Sequence, residues 1–563
     1  MRVKAGLKRD DYTWRQIRPG LWQRDADEAE VFYSTLIKLY EGTGRMHFAI
    51  TGHISLTIKV PDDESPEVVS KRLDDSLRIA WLRQRYETPT IASHVHYDAL
   101  DGKWKKSYRT IPDDASTKAW LDKTFQVIKT GQTGEEWANS DPPAPNIATL
   151  FVVCPAATSS KEDPSTVRRD LILRSPHDII DGIGTLQLLN SLVTKTAAAF
   201  REGDFFRELP IFDGSEASNL SPPYRVAANV PSVPTPEQQA RLDAMASSIT
   251  SPSQPPPNPD SQNETPPPMN IGIPHPLGPS YLHPGKHQRT SHFLSPSLTT
   301  SITTYLKTNH PGTTVTHLFH AAIALSLRNL PLTRTAAIAY QYPKPQPGSG
   351  QKVRYTNYLL RNERPSCLPP YDSPAHCVSV YHSLPASKLI VDMSSSLPPD
   401  GAERRKEYEE VLGKIRQFYE GVRDDKLHYA LAPAIWKDWT PSLPEAVLKG
   451  EEKMEVPKPK EVPSVSISSM GVVDRVVGKW HDLGLDAGGE DGKEGKLEVH
   501  RPWVTGEELT NGLGVFLGTF DGVLELSCAY NETWHSKENV DNFLWDVERM
   551  VTSWVEGGSM EPK

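Results

Sequence analysis

Apolar residues recur along this chain at two periods. Val69, Leu73, Leu77, Ala80 and Trp81 follow Pro66 at helical spacing and predict a helix with one buried face. Ile183, Leu186, Leu189, Leu192 and Val193 predict a second helix, from Gly182 to about Phe200. Tyr408, Val411, Leu412, Ile415, Phe418 and Tyr419 form the stripe of a helix over Arg404 to Val422. Val540, Phe543, Leu544, Val547, Met550, Val551 and Trp554 give a final helix, capped by Ser536. Helices are also expected over Glu28 to Tyr40, Ser295 to Tyr305 and Thr314 to Asn329. Strands are expected over Phe48 to Ile58, Ile91 to Tyr97, Leu171 to Leu173, Ala336 to Tyr340, Cys377 to His382 and Val465 to Val473. Ile147 to Cys154 is almost continuously apolar, as in a strand covered on both faces. Gly514 to Phe520 and Val523 to Tyr530 flank Asp521-Gly522, a favoured two-residue hairpin turn. Helices and strands alternate irregularly, so the expected class is α/β (α+β) with mixed sheets.

The pattern fades between residues 208 and 290, where Pro255-Pro256-Pro257 and Pro266-Pro267-Pro268 are the densest points. Apart from a helical island at Pro236 to Met245, this stretch reads as an extended linker. A structureless loop of that length inside one compact domain is unusual. The chain of 563 residues therefore divides into an N-terminal half, 1–207, and a C-terminal half, 291–563. Exposed loops are expected at 449–461 and 485–496 and at Ser159 to Thr166.

The stretch with the most chemistry is Ser175-Pro176-His177-Asp178-Ile179-Ile180-Asp181-Gly182. It lies between the Leu171-Leu173 strand and the helix that begins at Gly182, so the rigid scaffold presents His177 on a turn. A neutral imidazole can take a proton from a hydroxyl near neutral pH. Asp181 can fix the turn by pairing with a backbone donor or an arginine, and Gly182 gives a tight backbone where the helix starts. The plain alternative is a loop histidine beside an N-capping aspartate.

Other polar clusters carry less. His94 and His96 share a strand face, and His317 and His320 share a helix face, but neither pair has a third ligand nearby, so no metal is expected. Cys154, Cys367, Cys377 and Cys528 form neither a disulfide framework nor a Cys-x-x-Cys site, which points to a reducing, cytoplasmic setting. Charged residues make up 24% of the chain and the net charge is −9, so nothing suggests nucleic acid or an anionic membrane as partner. No run of apolar residues is long enough for a membrane span.

The octet His177-xxx-Asp181-Gly182, entering an apolar helix, resembles the signature of the HxxxD acyltransferase superfamily, which includes chloramphenicol acetyltransferase, plant alcohol acyltransferases and peptide-synthetase condensation domains. Four further segments resemble fungal members in the same order: Asp74 to Asp98, Trp120 to Phe125, Ser466 to Asp474, and Thr519-Phe520-Asp521-Gly522 through Ala529-Tyr530-Asn531. The nearest group is the fungal secondary-metabolite O-acetyltransferases similar to trichothecene 15-O-acetyltransferase. Two departures stand out. Pro176 occupies the place where many members have a second histidine, and the plant motif Asp-Phe-Gly-Trp-Gly is absent.

The resemblance implies two chloramphenicol-acetyltransferase-like halves with a channel between them and His177 in its middle. It implies an O-acyltransferase using acetyl-CoA as co-substrate, with no tightly bound cofactor and a small-molecule alcohol as acceptor. His177 would be the general base, and Asp181 a structural support of the His loop, paired with an arginine that the sequence does not single out. Ser468 or Ser469 would donate to the oxyanion. A monomer is expected, since one chain can complete its own site. No Gly-x-Ser-x-Gly elbow is present, so direct transfer is expected rather than a covalent acyl-enzyme. Two other functions stay open. One is a condensation-type enzyme fed by a separate carrier protein, the chain having no Leu-Gly-Gly-x-Ser motif of its own. The other is a small-molecule-binding protein with a decayed site.

Overall fold

A computed structural model of the protein describes residues 9–156, 166–203, 210–250, 267–274, 283–333, 351–485 and 495–558. The expected strand at Ala336 to Tyr340, the loop from Ser159 and the triplet Pro255-Pro256-Pro257 lie outside the described residues, as does most of the 485–496 loop.

Two sheets organise the molecule. The larger has six strands, in the order Trp480–Asp482, Lys496–Gly506, Ile50–Lys59, Thr166–Ser175, Thr149–Pro155 and Phe125–Gly131. Ile50–Lys59 pairs antiparallel with Thr166–Ser175, so that Ile50 stands opposite Ser175. Helices Pro66–Glu87 and Gly182–Glu202 pack on each other and bury Leu73, Leu77, Trp81, Leu186, Leu189 and Phe200 in one core with the sheet. The second helix lies close against the strand: a Cβ on Gly52 would sit 2.2 Å from the Thr185 side chain.

The second sheet has four strands, in the order His287–Leu294, Val523–Asn531, Leu513–Phe520 and Val465–Val472. Helices Val315–Thr333, Gly401–Asp424 and Lys537–Glu556 contribute to its core. Its hairpin turns at Asp521 and Gly522, both with positive φ (50° and 73°), as a two-residue turn of this type requires.

The two sheets are not built from separate lengths of chain. Trp480–Asp482 and Lys496–Gly506 come from the second half but complete the sheet of the first, with Gly506 opposite Ile50. The expected linker is also engaged where it is described. Tyr224 and Ala227 are buried with Tyr381 and Ala432, the Tyr224 amide donates to Asp27 Oδ2 at 2.9 Å, and Met269–Asn270 pairs parallel with Lys352–Asn357. Composition registers local propensity, and these are long-range contacts.

Two strand expectations change. Pro89–Ala92 forms a 3-10 turn, so that strand starts at His94. Cys377 to Tyr381 is irregular, and only His382–Ser383 pairs, with Arg361–Asn362. The reason is local: the backbone of Ser379 and Tyr381 hydrogen-bonds Asp181 instead of a neighbouring strand.

Beneath the His loop lies a buried ionic cluster. Arg24 donates to both oxygens of Glu30 at 2.6 and 2.7 Å, and Lys106 donates to Glu30 at 2.8 Å and to the Asp178 carbonyl at 2.9 Å. Burial alone would raise the Glu30 carboxyl, but Arg24 and Lys106 outweigh it and hold the group at about 2. Because the folded value lies below the ordinary 4.5, the stability it contributes is present above that pH and is lost as pH falls toward 2. Glu30→Ala leaves two buried cations without their anion, and should lower unfolding free energy by about 3–5 kcal/mol in denaturant titration. An effect under about 1 kcal/mol would mean the cations find another partner or water.

Candidate active site

The octet is held from its aspartate. Asp181 is the N-cap of helix Gly182–Glu202, its Oδ1 accepting from the Gly184 amide at 2.8 Å. Its Oδ2 accepts from Arg364 Nη1 at 2.9 Å and from the Tyr381 amide at 2.8 Å, and His382 Nδ1 lies 3.7 Å away. Burial opposes the charge on this carboxyl, yet Arg364 and then His382 keep it far below the usual carboxylate range. The arginine left open by the sequence is Arg364, which lies 183 residues away in the chain.

Gly182 and Gly184 exchange parts relative to expectation. Gly182 has no positive φ, and a Cβ there would meet nothing closer than Met470 at 3.6 Å. Gly184 is the position with no room, since a Cβ would lie 2.1 Å from the Cys377 carbonyl oxygen. The Asp181 cap draws the segment containing Cys377 onto the first helical turn, which accounts for that crowding.

His177 lies flat on Tyr33, with ring centroids 3.7 Å apart and planes within 5°. Burial, with His382 adding to it, pushes the imidazole down to about 3, so it is neutral at physiological pH. Its Nδ1 is buried and bonds no other residue among the described residues, with the residue's own backbone facing it. That arrangement favours a proton on Nδ1 and leaves the Nε2 lone pair for a substrate.

A cavity of about 210 Å³ brings the expected residues together: His177, Asp181, Gly182, Ser468 and Ser469 all line it. The Ser469 hydroxyl is engaged with Thr316 Oγ1 at 2.8 Å, whereas that of Ser468 has no protein partner among the described residues. Six aromatic residues, Phe32, Tyr33, Phe48, Tyr358, Trp436 and Trp439, line it as well, among aliphatic and a few polar side chains. Glu508 also lines it, its carboxyl pushed up by burial. A larger cleft of about 600 Å³, bounded by Ser55, Arg168, His500, Arg501 and Phe520, does not include His177. Both cavities share the strands Lys496–Gly506 and Leu513–Phe520, so they lie along one seam between the sheets.

Sequence reasoning missed Tyr33, Arg364 and His382. Tyr33 sits on an apolar helix face like any core residue, Arg364 lies in Pro-rich loop sequence, and His382 ends an expected strand with nothing in the sequence to set it apart. The histidine pairs weighed for metal are otherwise occupied or simply stacked. His320 bonds the hydroxyls of Tyr355 and Tyr419, and His94 stacks on His96 at 5.3 Å. No group of three or more His, Cys, Asp or Glu placed to hold a metal occurs among the described residues, and no helix among them is long and apolar enough to cross a membrane.

No family model matches the chain. Two proteins of Monascus ruber do match over most of its length. Acetyltransferase pigO is 24% identical over 93% of this chain and 94% of its own, and O-acetyltransferase pigM is 23% identical over 96% and 86%. The chain is a relative of acetyltransferases, an enzyme of the transferase class. Its fold is that of a solved trichothecene 15-O-acetyltransferase, TRI3 from Fusarium sporotrichioides, with TM-score 0.72 and 16% identity over 97% of this chain and 98% of the other. The first condensation domain of the CDA synthetase has a more distant version of the same fold, with TM-score 0.53 and 13% identity over 95% and 96%.

Arg364→Ala leaves Asp181 buried without its cation. It should cost about 3–5 kcal/mol of stability by denaturant titration, and Asp181→Ala added to it should cost less than the two single losses summed. Strict additivity would show that the two side chains act independently.

Proposed function

We propose that this acetyltransferase relative moves an acyl group, acetyl in the first instance, from acyl-CoA to a hydroxyl of a small secondary metabolite, with His177 as general base and no covalent acyl-enzyme. The observation that carries the reading is the state of His177: neutral, oriented by its own backbone and by Tyr33, and opening on a cavity that also holds Ser468.

The steps follow from that geometry. His177 Nε2 takes the proton of the acceptor hydroxyl as its oxygen bonds to the thioester carbonyl carbon. The carbonyl oxygen becomes an oxyanion, and the free Ser468 hydroxyl is the donor suited to it. The carbon–sulfur bond then breaks, and the thiolate takes the proton back from the imidazolium. Ester and CoA thiol leave, and the enzyme is unchanged. Asp181 is committed to Arg364 and two backbone amides, so its part is to hold the loop. The aromatic wall suits a largely apolar acceptor with a flat or polycyclic frame, which such rings can cover without hydrogen bonds. The seam toward the larger cleft suits the long arm of an acyl thioester. The names of both Monascus relatives support acetyl transfer, that of pigM supports oxygen as the acceptor, and the condensation-domain likeness supports the fold alone.

His177→Ala should lower turnover by roughly 10²–10⁴-fold, measured as thiol release from acetyl-CoA across a panel of hydroxylated acceptors. Acetyl-CoA should still raise the thermal midpoint of both proteins, because binding does not need the base. A shift in neither, with donor in large excess, would sink the CoA donor; turnover with a carrier-bound thioester alone would move the reading to a condensation-type enzyme.

The pH profile is a separate check. The base works in its neutral form, and protonation in the free enzyme is displaced from 6.5 to about 3. The acid limb of kcat/KM should therefore lie well below 6.5, and activity should stay level from about pH 8 to 6. A limb centred at 6.5 would place the working histidine in water.

A further inference from the structure

We propose that Tyr33, with its hydroxyl held by His382, is a positioning residue that fixes the plane of the His177 ring and stabilises the charge this ring acquires during transfer. The inference rests on the proposed role of His177 as base. It adds residues that neither the octet nor the serine strand contains.

Three observations converge. Tyr33, buried on helix Glu28–Tyr40, lies face to face with His177 at 3.7 Å. Its hydroxyl is 2.7 Å from His382 Nε2, and His382 Nδ1 is 3.7 Å from Asp181 Oδ2. The next residue, Ser34, donates to Asp178 Oδ2 at 2.7 Å. Adjacent residues of the helix thus grip adjacent residues of the loop. The helix in turn is fixed by the Asp27 capping box and by the Arg24 to Glu30 ion pair.

The chemistry explains why a ring should be needed there. When the hydroxyl proton arrives, His177 becomes an imidazolium on a partly buried ring whose Nδ1 is fully buried. The charged and titratable groups that face it are Tyr33, His382 and Asp181 with its partner Arg364. The Asp181 charge is already answered by Arg364 and two amides. The remaining stabiliser is the π face of Tyr33, which attracts a cation stacked on it. In this proposal the Tyr33 hydroxyl donates to His382 Nε2, and the Nδ1 of His382 faces Asp181 at 3.7 Å, beyond hydrogen-bond reach. A phenol that donates a hydrogen bond carries more electron density on its ring, so the line from His382 to Tyr33 strengthens that face. The same line stops the tyrosine from turning, which holds the imidazole edge toward the cavity.

The test uses the full chain, acetyl-CoA and whichever acceptor the wild type acylates. Tyr33→Leu removes the face and should lower kcat roughly ten- to thirtyfold with KM for acetyl-CoA within about twofold. Tyr33→Phe keeps the face but loses the hydroxyl, and should lower kcat by roughly two- to fivefold; it also carries the test if Tyr33→Leu does not fold, as judged by thermal unfolding. His382→Phe should match Tyr33→Phe, the double variant should lose no more than either, and His382→Gln, which keeps an acceptor for the hydroxyl, should recover most of the activity. Unchanged kcat in a folded Tyr33→Leu, or a loss found only in KM for the acceptor, would overturn the assignment and leave Tyr33 as pocket wall. Failure of His382→Gln to recover more than His382→Phe would remove His382 from it. A wild type that turns over no acyl thioester overturns the proposed function instead, and this inference with it.

Discussion

The buried contact between Asp181 and Arg364 is what the site hangs on. One carboxylate caps the helix behind the His loop, anchors the backbone at Tyr381 and accepts from a guanidinium delivered by a distant segment. Taking such a pair out of water costs several kcal/mol per ion, and mutual attraction with good hydrogen bonds only roughly returns it. Its value is therefore less in net stability than in what it forbids. The carboxylate cannot remain buried unless the 364–382 segment is docked on the first turn of the helix, and Gly184 has to be small for that docking to happen. The His loop takes its shape only when both halves of the chain are in place.

A second set of charges holds the loop from the other side. Lys106 ties the Asp178 carbonyl to Glu30, and Ser34 ties the Asp178 carboxylate to the same helix. At the same end of the six-stranded sheet as the His loop, Arg174 meets Glu507 at 2.8 Å, and Arg45 meets Asp141. Glu507 belongs to the crossing segment just after Gly506, and burial pushes its carboxyl up to about 7 against the pull of Arg174 and Arg45. The end of the sheet that carries His177 is thus pinned by polar contacts, while the cavity beside it is lined largely by apolar and aromatic side chains. That division would suit the proposed reaction, rigid at the base and undemanding toward an apolar substrate.

The legible part of this design was the part with local periodicity. The helix after Gly182, the strand of Ser466 to Ser469 and the Asp521-Gly522 hairpin each depend on spacing within a dozen residues, and each stands where its spacing predicted. The octet could be read because its histidine, aspartate and glycine are close together in sequence. Arg364, His382 and Tyr33 could not be, because what makes them matter is a partner 183, 201 and 144 positions away, taking Asp181 for the first two and His177 for the third. The same holds for the stretch after residue 208. Its proline content is real, but Tyr224 is buried against Tyr381 regardless, since a long-range apolar contact outweighs weak local preference. Cys377 to Tyr381 fails as a strand for the complementary reason: the Tyr381 amide is claimed by the Asp181 carboxylate and the Ser379 carbonyl by the Asp181 amide.

The environment of His177 carries a tension that decides what the site can do. Burial keeps the imidazole neutral, which a base requires, but it also makes the imidazolium expensive. In open water the charge would be solvated at no structural cost, and the activated acyl group would be lost to hydrolysis. In the proposed reaction, placing the ring in a cavity lined by Tyr33, Phe48, Trp436 and Met470 would limit that side reaction and transfer the burden of stabilising the cation to fixed groups. A carboxylate pointed straight at the imidazole would meet the burden too well, raising its pKa and leaving it protonated. Asp181, spent on Arg364, avoids that outcome. A polarisable ring face interacts little with the neutral base and more with the cation, so its contribution grows as the proton moves. In the proposed reaction that is the differential that lowers a barrier instead of deepening the ground state, and it is why the residue stacked on His177 would matter as much as the residues that carry its loop.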